Sequence, residues 1–188
     1  MTRWDIINMF IYARHYKSFL EIGTLRGDTF VRVQAERKVS VDPDIHTNAT
    51  HHMTSDEYFA GTDEKFDIIF IDGLHLCEQA YRDIMNGLAH LNPGGVIVMH
   101  DCHPTMERDQ YPNPELAKLY VWTGDVWKAF VRARTELPYE MYVIDNDMGC
   151  GVIDTAYPNE TDVSGLPSDM KTMTWHQFQN HPEWMNYR

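Results

Sequence analysis

FLEIGTLRGDTF, residues 19–30, runs from an apolar stretch into a turn punctuated by two glycines and out into a helix-forming segment. Ser18 to Ile22 reads as a buried strand, and Gly23 to Asp28 as the turn that feeds a helix to about Lys38. Glycine lets a backbone turn sharply and approach a ligand closely. The turn is G-x-x-x-G and lacks the third glycine of the G-x-G-x-x-G turn that admits a pyrophosphate, so a ligand without phosphates fits it better. Glu21 argues the same way, since its carboxylate repels a pyrophosphate and attracts an ammonium group. Asp42, after the next strand, stands where a carboxylate accepts hydrogen bonds from ribose hydroxyls. The combination reads as a nucleoside site. The alternative is a plain glycine turn with a surface acid, and Glu21 and Asp42 in register weigh against it.

Working outward, Trp4, Ile7, Phe10 and Ile11 give an amphipathic helix over residues 4–15. Val39 to Val41 is a second short strand that stops at Asp42-Pro43, where proline cannot continue the pairing. Only residues 43–65 precede the next strong strand, Phe66 to Ile71, so any third strand and its helix must be stunted. Leu76, Ala80, Ile84, Leu88 and Leu91 form the buried stripe of a crossover helix ending near Asn92-Pro93-Gly94-Gly95, and Val96 to Met99 is the following strand. A polar loop with Pro104, Pro112 and Pro114 reaches about Gly124 and is a candidate lid. Asp125 is placed to cap a helix through Trp127, Phe130 and Val131, and strands near Met141 to Ile144 and Gly151 to Ile153 close the sheet as an antiparallel pair. The expected fold is α/β: a doubly wound, mostly parallel Rossmann-like sheet with a C-terminal antiparallel strand pair. Residues 1–154 form the domain and 155–188 a tail or arm, whose Trp175, Trp184 and Met185 pack either on the domain or on a partner subunit, which leaves a homo-oligomer open.

Composition narrows the function. Sixteen Lys and Arg against 28 Asp and Glu give a net charge of −12, so a phosphate backbone meets a repulsive surface and nucleic acid is not the expected partner. Cys77, Cys102 and Cys150 are odd in number and widely spaced, which fits a reducing, cytoplasmic setting. The N-terminal apolar stretch Ile11 to Ala13 is too short for a signal or a span, so no membrane partner is expected.

Ligands of such sheets bind beyond the carboxyl ends of the strands. After the strand at 66–71 comes Asp72-Gly73-Leu74-His75, and after that at 96–99 comes His100-Asp101-Cys102-His103. Neighbouring strand ends bring these groups towards one divalent ion, with Asp72, His100 and Asp101 as ligands and His75 or His103 as a general base or a supporting hydrogen-bond partner. Each alone is as readily a helix cap or a loop hydrogen bond.

The segments FLEIGTLRGDTF (19–30), VSVDPD (39–44), FDIIFIDGLH (66–75), LNPGGVIVMHDC (91–102) and GDVWKAF (124–130), in this order, resemble the class I S-adenosylmethionine-dependent methyltransferases. The similarity is to small bacterial enzymes of the macrocin O-methyltransferase type, over about residues 18–153. The resemblance implies that Glu21, Gly23, Thr24 and Gly27 form the methionine-side loop, that Asp42 binds the ribose, that Ser55 and Asp56 lie near the adenine, and that Asp72 borders the cofactor. It also implies that Asp72, His100 and Asp101 stand where such enzymes carry metal-binding acids. Here a histidine replaces one carboxylate; magnesium prefers oxygen ligands, so the mixed set also admits manganese, iron or zinc. The implied activity is metal-assisted O-methylation of a small-molecule acceptor such as a sugar or secondary metabolite, with His75 or His103 accepting the proton. A metal-independent methyltransferase with a histidine base and a non-catalytic nucleoside-binding module are the competing readings, with a dinucleotide oxidoreductase behind them.

Overall fold

In a computed structural model, which describes residues 1–119, 121–160 and 173–188, four strands run parallel: β1 (Ser18–Ile22), β2 (Arg37–Val41), β3 (Phe66–Ile71) and β4 (Leu91–Met99). β5 (Tyr139–Ile144) and β6 (Cys150–Pro158) complete the sheet in the order β2-β1-β3-β4-β6-β5, with β6 antiparallel to both β4 and β5. The helices are α1 (Arg3–Arg14), α2 (Asp28–Arg32), α3 (Ser55–Ala60), α4 (Cys77–Ala89), α5 (Val126–Glu136) and α6 (Trp175–Asn180). Successive strand residues point to opposite faces, and both faces are covered. Leu20, Ile22, Ile69, Ile71, Ile97 and Met99 join one apolar cluster with α4 and α5, while Phe19, Ile68, Phe70, Val96 and Val98 join another with α1. The expected doubly wound sheet with an antiparallel pair is the one observed. No helix among the described residues is long and apolar enough to cross a membrane.

Local differences from the sequence reading have identifiable causes. α2 stops at Arg32 instead of reaching Lys38: Val33 is extended, and the Asn8 side chain of α1 donates to Arg32 O at 3.0 Å and accepts from Gln34 N–H at 2.8 Å, which fastens the chain as it leaves the helix. The segment 43–65 holds only α3 and an isolated bridge of His51 to Val41, as its shortness requires. α4 ends at Ala89, earlier than expected. The Asn92–Gly95 segment belongs to β4 as an irregularity, since Phe66 pairs with Leu91 but Ile68 with Val96. Asp125 precedes α5 but does not cap it; its Oδ1 accepts from Cys77 N–H at 2.7 Å and so satisfies the first turn of α4.

β6 continues to Pro158, and the end of the chain lies against its own sheet. Tyr187 bridges to Val143 of β5, the buried Arg134 of α5 donates to Glu183 O and Trp184 O, and Trp184 and Met185 are buried. Residues 161–172 of the tail lie outside the described residues.

Candidate active site

The carboxyl ends of β1 to β4 open on a cavity of about 670 Å³. Two features of the turn after β1 make it. Gly23 has φ +87° and stands so close to the turn after β3 that a Cβ there would lie 2.1 Å from Asp72 O. Asp42 then ties down the turn, its Oδ2 accepting from Thr24 N–H and Leu25 N–H at 2.9 Å each while Oδ1 accepts from Asp44 N–H at 2.9 Å. Asp42 thus has an organising role, and the one lone pair it keeps for a ligand is on Oδ1.

Glu21 is 1% exposed on the cavity wall, and its Oε2 has no hydrogen-bond partner. Burial, reinforced by the Asp72 charge, pushes its carboxyl up to about 8. A buried carboxylate oxygen without a donor is costly, and a ligand ammonium would supply both the donor and the counter-charge. Further along the cavity, Ser55 Oγ donates to Asp83 Oδ1 at 2.6 Å, and Gln79 Nε2 bonds Ser55 Oγ, Asp83 Oδ1 and Asp56 Oδ1. Asp83 is almost fully buried; burial lifts its carboxyl to about 6 against the hydrogen bonds from Ser55 and Gln79. These groups form a polar wall able to read the edge of a base.

Beside this wall lies a cluster of acids and imidazoles. Asp72, His75 and Asp101 bring ligand atoms within 4.8 Å of one another. His75 Nε2 is 3.4 Å from Asp72 Oδ1, and its Nδ1 is 3.1 Å from Asp101 Oδ2. His100 Nδ1 lies 3.1 Å from Asp101 Oδ1 and 3.5 Å from Asp72 Oδ1, while its Nε2 faces Asp147 at 3.6 Å. Asp101 sits at φ +61°, a left-handed conformation rare for a residue with a side chain, and from there it contacts both imidazoles. Burial opposes charge on Asp72, His75 and His100, but the attraction of their neighbours prevails. The charge and hydrogen bonds of His100 and His75 hold Asp72 well below the usual carboxylate range. The Asp72 hydrogen bond and the Asp101 charge bring His75 up to about 9, and the charges of Asp72 and Asp101 raise His100 well above its ordinary value. The mixed nitrogen and oxygen donors suit a divalent transition ion, whose charge would replace the imidazole protons.

Of the residues expected from sequence, Glu21, Gly23, Thr24, Asp42, Ser55, Asp56, Asp72, His75, His100 and Asp101 line this one cavity. Gly27 does not line it; it precedes α2 as that helix's cap. His103 does not line it either: its Nδ1 contacts Asp145 and its ring packs 5.0 Å from Tyr187. That position places His103 outside the cavity lining. His75, expected as base or support, is the imidazole in the ligand-spaced trio, while His100 adjoins it. Sequence reasoning missed Arg3, Gln79, Asp83 and Trp122, all on the cavity wall. Asp83 carried a signal, as an acid beside Ile84 on the apolar face of α4; Arg3 and Trp122 carried none. Trp122 ends the proline-rich loop and stacks on His75 with ring centroids 5.1 Å apart, so the loop covers the acid and imidazole cluster. Residue 120 of that loop lies outside the described residues.

Residues 20–102 match the family model described as a methyltransferase domain. Among solved structures, an O-methyltransferase from Bacillus cereus in complex with S-adenosylhomocysteine is similar at a TM-score of 0.60 and 13% identity, covering 81% of this chain and 80% of that one. The O-methyltransferase TomG from Streptomyces achromogenes, solved with S-adenosylmethionine, gives 0.61 at 14% identity over 81% and 78% of the two chains. The methyltransferase PaMTH1 from Podospora anserina, bound to S-adenosylhomocysteine, gives 0.58 at 13% over 81% and 77%. No curated protein matches the chain in sequence. The glycine turn and the strand-end acids all fall within residues 20–102, the stretch similar to the methyltransferase-domain model, and the chain has the fold of the O-methyltransferases it resembles.

Proposed function

We propose that the protein transfers the methyl group of S-adenosylmethionine to a hydroxyl of a small molecule, assisted by a divalent metal ion. The observation that carries this reading is the trio Asp72, His75 and Asp101 facing the same cavity as Glu21 and the glycine turn. The methyl donor holds the intrinsic reactivity, so the chain's task is to bind, orient and manage one proton. Glu21 takes the ammonium end of the donor, Asp42 with its remaining Oδ1 lone pair takes a ribose hydroxyl, and the Ser55–Asp83–Gln79 wall takes the base. A cation held by Asp72, His75 and Asp101 would stabilise the negative charge left as the acceptor hydroxyl passes its proton to a water molecule. Trp122 closes this end of the cavity and limits the water that competes with the acceptor. The metal-free alternative needs a neutral imidazole base, whereas the neighbouring carboxylates hold His75 as a cation at neutral pH.

The test is methyl transfer to sugars, nucleotide sugars and phenols, scored by S-adenosylhomocysteine release with and without chelator and with added manganese, iron, zinc or magnesium. Turnover that appears with an ion and vanishes with chelator is the expected result; undiminished turnover in chelator rejects metal assistance.

Glu21 gives a second expected result. Its carboxyl is largely protonated below about 8 in the free protein, whereas an ammonium partner demands the ionised form. Binding therefore releases a proton, and affinity for S-adenosylmethionine rises with pH up to about 8 and then levels off. Glu21→Gln should abolish this dependence and weaken binding by about 10- to 100-fold, the worth of a charge-assisted hydrogen bond. Calorimetry in buffers of different ionisation enthalpy measures both.

A further inference from the structure

Arg3, at the start of α1, reaches across the sheet into the cavity. Its backbone N–H donates to Asp147 Oδ2 at 2.8 Å, its Nη1 donates to both Asp147 oxygens, and its Nε donates to Thr29 Oγ1 at 3.0 Å. Nη1 also lies 3.4 Å from His100 Nε2, and Nε lies 3.9 Å from Asp72 Oδ2. These contacts hold the guanidinium beside the glycine turn, since Thr29 is the second residue of α2. Nη2 makes no hydrogen bond among the described residues, and the side chain keeps 23% of its surface exposed. A planar cation is thus held through Nε and Nη1, its Nη2 keeps two N–H groups without a hydrogen bond among the described residues, and the residue lines the cavity that Glu21 also borders.

A buried carboxylate oxygen without a donor and a clamped guanidinium with an unbonded Nη2, bordering one cavity, are complementary to an amino-acid zwitterion. We infer that Arg3 binds the carboxylate of the methionine moiety of the donor while Glu21 binds its ammonium group, so that the N-terminal helix supplies half of the recognition of the amino-acid end. This rests on the S-adenosylmethionine reading. It makes α1 a part of the cofactor site and not only a cover for the sheet. The competing role for Arg3 is that of a strut for Asp147 and His100.

The two roles separate by ligand. Binding of S-adenosylmethionine and of decarboxylated S-adenosylmethionine, which keeps the ammonium and sulfonium charges, is measured by calorimetry for the wild type, Arg3→Met and Arg3→Lys. The expected result is that Arg3→Met weakens S-adenosylmethionine by about 10- to 100-fold and leaves the decarboxylated compound within about twofold, with Arg3→Lys intermediate. If Arg3→Met does not fold by circular dichroism, Arg3→Lys carries the comparison, because it keeps the charge and loses the fork. Equal weakening of both ligands, or no weakening of either, overturns the assignment and leaves Arg3 a strut. A wild type that binds neither compound rejects the donor itself, a result distinct from the other two.

Discussion

Asp101→Asn is expected to lower methyl transfer by about a thousandfold or more while S-adenosylmethionine binding changes little. The side chain keeps its size, so the left-handed turn at the end of β4 can survive, but the amide lacks the charge and the second acceptor oxygen with which the carboxylate meets both imidazoles and would meet the proposed cation. Loss of a metal's stabilisation of a developing anion amounts to several kcal/mol, and about 4 kcal/mol corresponds to three decades of rate. On the proposed reading the donor is held by Glu21 and the glycine turn and not by Asp101, so its affinity is the internal control. Three measurements on one preparation decide the matter: S-adenosylhomocysteine release, bound metal by atomic emission, and donor affinity by calorimetry. Unchanged turnover would remove Asp101 from the chemistry, and a parallel collapse of donor affinity would mean that the substitution disturbs the whole cavity.

Gly23→Ala is expected to be the most damaging single-methyl change in the turn. The added carbon would sit 2.1 Å from Asp72 O, 2.5 Å from Asp72 C and 2.6 Å from Gly73 Cα, all of them backbone atoms that cannot rotate away. The left-handed φ adds its own strain, and the two effects together cost about 3–6 kcal/mol. Gly27→Ala isolates the second effect. Gly27 has φ +76° but nothing within 4 Å of its would-be Cβ, so it should lose only about 1 kcal/mol. Thermal unfolding of the two variants should show Gly23→Ala with a far lower Tm, or as insoluble protein, and Gly27→Ala lowered by a few degrees. Comparable losses in both would show that conformation, and not the approach of the turn to β3, makes glycine necessary.

The two glycines look alike in FLEIGTLRGDTF, and the resemblance implies the methionine-side loop for both; only Gly23 is pressed against another strand's turn. The same holds for the histidines. His75, His100 and His103 all follow strand ends, yet His103 is turned towards Asp145 and Tyr187 because the chain at Cys102 and His103 pairs with the loop between β5 and β6, through Cys102 N–H to Gly149 O and His103 N–H to Met148 O. Asp125 read as the cap of its own helix and serves α4 instead. The strands were legible because continuous burial demands continuous apolar residues, and β3 was read to the residue. α2 was overextended because Asn8, which fastens the chain where that helix ends, comes from a distant part of the chain.

Local chemistry alone decided the order of strands and helices, the glycine turn after β1 and the presence of acids and imidazoles after β3 and β4. These depend on short-range backbone preference and on which residues tolerate burial, and both are written into neighbouring positions. Tertiary structure decided which of those groups share a cavity, that Arg3 from α1 and Asp83 from α4 join them, and that the end of the chain folds back on β5. The reason is that a site is a meeting of side chains whose distances are set by the packing of the sheet, and no local spacing encodes the approach of Arg3 to Asp147 across 144 residues.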